Sequence, residues 1–359
     1  MAEHGSLIPV NVVTGFLGSG KTTLLSRLLR SPRLRDTAVL VNELGEVGLD
    51  HHLLEQVDEQ TVLMQNGCLC CSIRGDLQQG LGSLLSRSGR GEVPAFKRVV
   101  VETSGLADPA PIAYTVLTEP VLRHHFRMGS IVTTVDGVNG ISTLERFSES
   151  VKQAAMADRL VLTKSDLADA GEFAALGRRL TALNPSAPQF DAAGGEIDPV
   201  RMLVEDPFDP QGRAREVRGW FENAGELSSP QGDRRGIDHH DFQNHDFQNH
   251  GFHNHGEIRS LTLTFDDPLD WTAFGVWLTM LLHCHGEDVL RVKGLLNVAG
   301  EDTPVIVNGV QHMVHPPAHL EAWPDADRRS RIVFVIRGNF QQALQDSLAA
   351  FNRLANPGG

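Results

Sequence analysis

The chain has 359 residues, 41% of them hydrophobic and 21% charged, and carries a formal net charge of −13. That length exceeds one ordinary core and suits two domains. The acidic balance repels phosphate backbones and anionic lipid, so neither nucleic acid nor a membrane surface is an expected partner.

At the start, MAEHGSLIPVNVV shows no basic run followed by an apolar core, so no signal peptide is expected. Apolar, β-branched runs follow at IPVNVVT, TAVLVN, TVLM, KRVVVET, SIVTTVD and RLVLT. They show little inside–outside alternation, as buried parallel strands do. Helical patterns such as KTTLLSRLLRS and GDLQQGLGSLLSRS lie between them. The alternation predicts an α/β domain over residues 1–205, a doubly wound and mostly parallel sheet. From 206 to 256 the composition turns to Pro, Gly, Arg and Ser. A five-residue repeat follows, Asp/Gly-Phe-x-Asn-His, at Asp241–His245, Asp246–His250 and Gly251–His255. It has no apolar face at helical period and predicts a disordered linker. Beyond it, EIRSLTLTFDD, DVLRVKGLLNVAG, TPVIVNG and RRSRIVFVIRG read as strands. DWTAFGVWLTMLLH and NFQQALQDSLAAFNRL read as helices. They predict a smaller α+β domain over 257–359, an antiparallel sheet with helices on one face. The longest apolar run, near WLTMLLH, is far too short to span a bilayer. Four cysteines, three of them within four residues, make no disulfide framework, and the expected compartment is a reducing cytoplasm.

The first turn, GFLGSGKTT, has the spacing Gly15-x-x-x-x-Gly20-Lys21-Thr22. Gly15, Gly18 and Gly20 let the backbone curl, so that successive N–H groups from Gly15 through Ser19 to Thr23 can surround a phosphate. Lys21 adds positive charge at the β- and γ-phosphates, Thr22 offers its hydroxyl to Mg²⁺, and the helix that follows aims its positive end at the same anion. VVVETSG places Glu102 at a strand end, where a carboxylate orients Mg²⁺ and its water. Gly105, three residues on, offers an N–H to the γ-phosphate. Lys21 and Glu102 are the candidate catalytic residues. RLVLTKSDL puts Thr163, Lys164 and Asp166 after another strand. An aspartate there accepts from both N1–H and the exocyclic amine of guanine, a donor pair that adenine lacks, while the lysine stem covers the base. The expected ligand is GTP with Mg²⁺.

VNELGEVGLDHH holds Glu43, Glu46 and Asp50 among glycines, an acidic loop able to order on Mg²⁺ and γ-phosphate. Glu46 joins Thr22 and Glu102 as a candidate Mg²⁺ ligand. NGCLCCSIRGDL gathers Cys68, Cys70 and Cys71. In an extended segment Cys68 and Cys70 share a face, whereas in a helical turn Cys68 and Cys71 meet, and the spacing does not choose between them. Two thiolates with one or two further ligands, Glu43 among the candidates, suit tetrahedral Zn²⁺ or Co²⁺. A redox Cys-x-x-Cys pair and plain apolar packing stand beside the metal reading. His239, His240, His245, His250, His253 and His255 fall in or beside the repeat, as a flexible tether that collects metal ions weakly. His283, Cys284 and His285 end a predicted helix without sharing a face, and are expected to be surface or half-buried residues.

Together GFLGSGKTTLL, VNELGEVGLD, NGCLCCSIRGDL, ETSGLADP, ADRLVLTKSDL and VLRVKGLLNV resemble the CobW-type GTPases, relatives of the nickel-inserting GTPases of urease and hydrogenase maturation. The likeness covers nearly the whole chain except the linker. It implies GTP hydrolysis coupled to handling of a transition metal, with the cysteines of CLCC as ligands and a C-terminal domain that meets clients. One departure is Thr163, which stands where the usual base-reading motif has Asn. The implied protein is a slow GTPase that delivers Zn²⁺ or Co²⁺ to a client metalloprotein or cofactor-synthesis enzyme. A nucleotide-gated metal buffer or sensor is the alternative, and a homodimer is compatible with the sequence.

Overall fold

The computed structural model describes residues 7–42, 62–65, 73–194, 197–205, 213–222 and 258–355. Strands β1 (Ile8–Gly15), β2 (Thr37–Asn42), β3 (Val62–Gln65), β4 (Arg98–Thr103), β5 (Phe126–Asp136), β6 (Arg159–Thr163) and β7 (Gln189–Asp191) form one sheet. Their order is β3-β2-β4-β1-β5-β6-β7, and every pairing is parallel. β1 is central, so the chain winds first to one side and then to the other, as a doubly wound sheet requires. Alternate residues feed two apolar layers. Val13, Val39, Val100, Val132 and Val161 pack with Leu24, Leu25 and Leu28 of the helix Lys21–Leu29. Val12, Leu40, Val101 and Leu160 pack against the helices Ile73–Gly89, Ala110–Thr118, Ser148–Met156 and Ala170–Leu183. Both faces are thus covered, which is why these strands read as unbroken apolar runs. Among the described residues, no helix is long and apolar enough to cross a membrane.

The second sheet contains β8 (Ile258–Phe265), β9 (Val289–Leu296), β10 (Val305–Val310), β11 (Met313–Val314), β12 (Ala318–His319) and β13 (Ser330–Arg337). Its path is β11-β10-β9-β13-β8, with β12 on β10, and all its pairings are antiparallel. The helices Trp271–His285 and Gln341–Ala355 cover one face, where Phe274, Trp277 and Leu344 meet Val292, Leu296 and Phe334.

The expected linker 206–256 is not uniform. Its residues Arg213–Glu222 form a helix whose Val217 and Trp220 are fully buried against Leu295, Ile306 and Leu320. Burial of that face outweighs the polar composition around it. The remaining linker residues lie outside the described ones.

Between the two sheets lies a buried set of charges. Asp158, just before β6, accepts from Arg291 of β9 and from Lys293 at 3.2 Å, and its second oxygen accepts the Ile131 N–H at 2.9 Å. Arg159 pairs with Glu216 at 2.7 Å, and Lys293 lies 5.0 Å from the Trp220 ring centroid. Burial favours the neutral acid, but Arg291 and Lys293 more than reverse it and hold Asp158 well below the ordinary carboxylate range. Burial outweighs Asp158 at Lys293 and draws that ammonium down to about 8. Around these charges Leu290, Val310 and Val335 of the second sheet belong to the same apolar cluster as Val135 and Leu160 of the first.

Candidate functional site

The carboxyl ends of the parallel strands place the motifs on one edge of the sheet, where open α/β sheets bind ligands. Gly15 pairs with Thr134, Val13 with Glu102, and Asp136 with Thr163. Gly15, Gly18 and Gly20 have φ of 141°, 73° and 87°, a left-handed run that side chains resist. At Gly15 space forbids a side chain as well, because a Cβ would collide with Thr134. Ser19 and Thr134 share a 2.7 Å hydroxyl hydrogen bond that braces the loop from below. The helix Lys21–Leu29 has no side-chain cap and no acid in its first turn. Its N-terminal N–H groups therefore keep their affinity for an anion.

Lys21 is 7% exposed and folds back onto its own loop, donating to Gly15 O at 3.1 Å and Phe16 O at 3.3 Å. Thr22 Oγ1 donates to Glu102 Oε1 at 2.5 Å across 80 residues of sequence. Two hard oxygen donors thus meet beside the phosphate loop, the ligand chemistry that Mg²⁺ prefers, and the pair fits that ion. Thr23 is exposed at the helix start. Gly105 packs against the loop tip so closely that a Cβ there would lie 2.7 Å from Leu17 Cα.

The Thr163–Asp166 stretch is tied to the same loop. Thr163 Oγ1 donates to Ser19 O at 2.9 Å, so a hydroxyl at this position keeps a bond to the phosphate loop. Lys164 has φ 56° and donates to Gly18 O at 2.9 Å and to Asp136 Oδ2 at 2.7 Å. Asp136 also accepts the N–H groups of Val138 and Asn139. Burial favours its neutral form, yet Lys164 and those amides reverse that and hold it below the usual range. Asp166 is exposed, and Ser165 before it donates to Asp191 Oδ1 at 2.5 Å. Behind the loop tip a cavity of about 260 Å³ is walled by Phe16, Ser19, Thr134, Asp136, Thr143 and Gln153. Asp136 and Gln153 were not singled out from the sequence. Asp136 had a signal, since it closes the apolar run SIVTTVD beside the phosphate loop.

Glu43, Glu46, Asp50, Cys68, Cys70, Cys71 and the six histidines from His239 to His255 lie outside the described residues. So do His51 and His52, whereas His124 and His125 are exposed. Cys284 is exposed, and no three His, Cys, Asp or Glu side chains among the described residues are arranged to hold a metal ion. The backbone nevertheless bears on the cysteine stretch. β3 is parallel to β2, and Val41 pairs with both Gln65 and Glu102. Gln65 therefore ends level with Glu102, two strands and about 10 Å away. β3 thus ends on the edge that carries the phosphate loop.

Known proteins resemble this chain in sequence and fold. Residues 9–191 match the CobW/HypB/UreG nucleotide-binding domain, and residues 258–352 match the cobalamin synthesis protein CobW C-terminal domain. The zinc chaperone YjiA of Escherichia coli is 30% identical over 328 residues, 91% of this chain and 93% of that one. A zinc-regulated GTPase metalloprotein activator 1 of Schizosaccharomyces pombe is 31% identical over 215 residues, 57% of this chain and 51% of its own. The crystal structure of Zn(II)-bound YjiA GTPase from Escherichia coli is similar at 27% identity with a TM-score of 0.65, covering 96% of this chain and 99% of that one.

Proposed function

This chain belongs to the CobW/HypB/UreG family, and from that premise we propose that it is a GTP-hydrolysing metallochaperone that loads a transition metal at its cysteine stretch and passes it to a client metalloprotein. The GTPase activity follows from the family. The observation that carries the rest is the convergence of Lys21, Thr22, Glu102 and Thr163–Asp166 on one edge, with β3 ending at that same edge just before Cys68.

Phosphoryl transfer to water needs mostly positioning and charge neutralisation. Lys21 exchanges its two carbonyl partners for the β- and γ-phosphate oxygens. The loop and helix N–H groups take the remaining phosphate charge, and Asp166 reads guanine over the Lys164 stem. Thr22 and Glu102, joined by Glu46, would hold Mg²⁺, which would neutralise the charge that develops on the phosphates. Gly105 offers its N–H to the γ-phosphate. No described side chain stands out as a base for water, which agrees with slow turnover in the absence of a partner.

Cys68, Cys70 and Cys71, with Glu43, take the metal cargo, Zn²⁺ or Co²⁺. The chain from Asn42 to Asp50 and the loop after Glu102 both answer to the γ-phosphate. The cysteines lie between these segments in sequence, so nucleotide and metal bias one set of loops. Linkage then requires each ligand to tighten the other by one factor, and a hundredfold effect needs about 2.7 kcal/mol. Calorimetry of a non-hydrolysable GTP analogue with and without Zn²⁺ tests this, with Cys70→Ser as control. Equal GTP affinities would sink the coupling. Metal release on hydrolysis only when client is present separates delivery from a gated metal buffer.

A further inference from the structure

The loop that follows Glu102 is held from behind by one short helix. Gln153 is 1% exposed on the helix Ser148–Met156 and donates through Nε2 to Gly105 O at 3.2 Å and Ala107 O at 3.0 Å. One residue earlier, Lys152 reaches Asp108 Oδ2 at 3.0 Å, and the other oxygen of Asp108 accepts the Ala110 N–H at 2.9 Å. The Gln153 carbonyl in turn accepts the Thr133 hydroxyl from β5 at 2.9 Å. A primary amide has two N–H donors, and here both are spent on carbonyls of one loop. Pinning Gly105 O to Gln153 fixes the plane of the Gly105–Leu106 peptide, and with Ala107 O also held it sets the backbone that carries the Gly105 N–H. On its other side Gly105 abuts Leu17 of the phosphate loop.

The far end of the same helix is equally fixed. Asn184 Nδ2 lies 3.0 Å from each of the carbonyl oxygens of Ala154, Ala155 and Ala157, which share its two N–H groups. Asp158 follows and takes Arg291 and Lys293 of β9. Gln153 and Asp158 are five residues apart, so about 8 Å of chain separates a loop beside the nucleotide from a buried ion cluster shared with the second sheet. A segment this short and stiff transmits displacement rather than absorbing it.

We propose that Gln153 is a positioning residue for GTP hydrolysis, setting the Ser104–Asp108 loop, and that its helix carries the nucleotide-dependent shift of that loop to β9 through Asp158. The claim rests on the reading that Gly105 meets the γ-phosphate. The full chain is compared with Gln153→Met, which keeps bulk and removes both donors, and with Lys152→Ala at the half-buried end of the contact. The readouts are kcat and KM for GTP, and hydrogen exchange of residues 104–108 and 289–296 with GDP and with a non-hydrolysable GTP analogue. Gln153→Met is expected to lower kcat about tenfold with KM within about twofold, the signature of a lost transition-state contact. It is also expected to abolish a difference between nucleotides at 289–296 that the unaltered chain shows. Lys152→Ala is expected to lower kcat about threefold with the same split, and it carries the test alone if Gln153→Met does not fold. An unchanged kcat in either folded variant, or a β9 difference that survives Gln153→Met, overturns the proposal. If residues 104–108 of the unaltered chain do not distinguish the nucleotides, the γ-phosphate reading fails and this proposal with it. If they do and 289–296 does not, the relay alone fails.

Discussion

The two ends of β6 handle charge in opposite ways. At its carboxyl end Lys164 and Asp136 pair at 2.7 Å while the Lys164 side chain stays partly exposed, and Asp166 faces solvent. At its amino end Asp158 and Arg159 are almost wholly buried, each satisfied by partners from beyond the first sheet. Five residues of one strand separate a cluster left open to a ligand from one closed around a permanent neighbour. The difference teaches where each charge draws its stabilisation. Buried ions need every partner they have, whereas exposed ones exchange partners cheaply.

Breaking the closed end should have the largest effect. Asp158→Ala strands Arg291 and Lys293 in the interior and should cost about 3–5 kcal/mol in chemical denaturation. A loss under about 1 kcal/mol, the scale of an exposed pair, would erase the contrast. At the open end Lys21→Ala should lower kcat/KM for GTP by about a hundred- to a thousandfold, the usual loss for one preorganised charge donor. That variant should leave the denaturation midpoint of the nucleotide-free chain nearly unmoved. Asp166→Ala should shrink the preference for GTP over ATP by about a hundredfold or more, read from competition binding. An unchanged preference would discredit the base assignment.

The last effect is the gentlest and sharpens the comparison through pH. Burial, with Arg291 alongside and Asp158 opposing, draws His315 from 6.5 down to about 3. The unfolded chain takes up this proton near 6.5 while the folded chain refuses it. The imidazole therefore contributes stability that is complete above that pH and is lost as pH falls through the window. One proton weakens folding by at most about 1.4 kcal/mol per pH unit there. Asp158 adds its own loss only as pH drops below 3.8. Urea titrations at pH 7 and pH 5 should show the slope, and His315→Gln should flatten it.

How far the sequence reaches follows the same division. The phosphate loop, Glu102 and the Thr163–Asp166 stretch were legible because each is a contiguous run of residues at a strand end. TAVLVN and RLVLT coincide with β2 and β6, since buried parallel strands leave an unbroken apolar signature. β7 went unread because three half-buried residues carry no pattern. The helix Arg213–Glu222 did have a signal, with Val217, Trp220 and Phe221 at helical spacing, which the polar surroundings hid. Gln153 and Asp158 had none. Asp158 and Arg291 are 133 residues apart, and neither has meaning until the sheets meet. Glu43, Glu46 and the cysteines remain a reading of motif and chain order.

The closed cluster also bears on how such chains diversify. Asp158 belongs to one domain and Arg291 and Lys293 to the other, so the halves are matched at the level of single residues. A C-terminal domain recombined from a relative with apolar residues on β9 would leave an unneutralised carboxylate in the hybrid. The Lys164–Asp136 pair lies within one domain, so the edge that carries it is free of that constraint and can drift one substitution at a time. Within this architecture, then, the nucleotide edge can evolve piecemeal, while the partnership of the two domains is inherited as a unit.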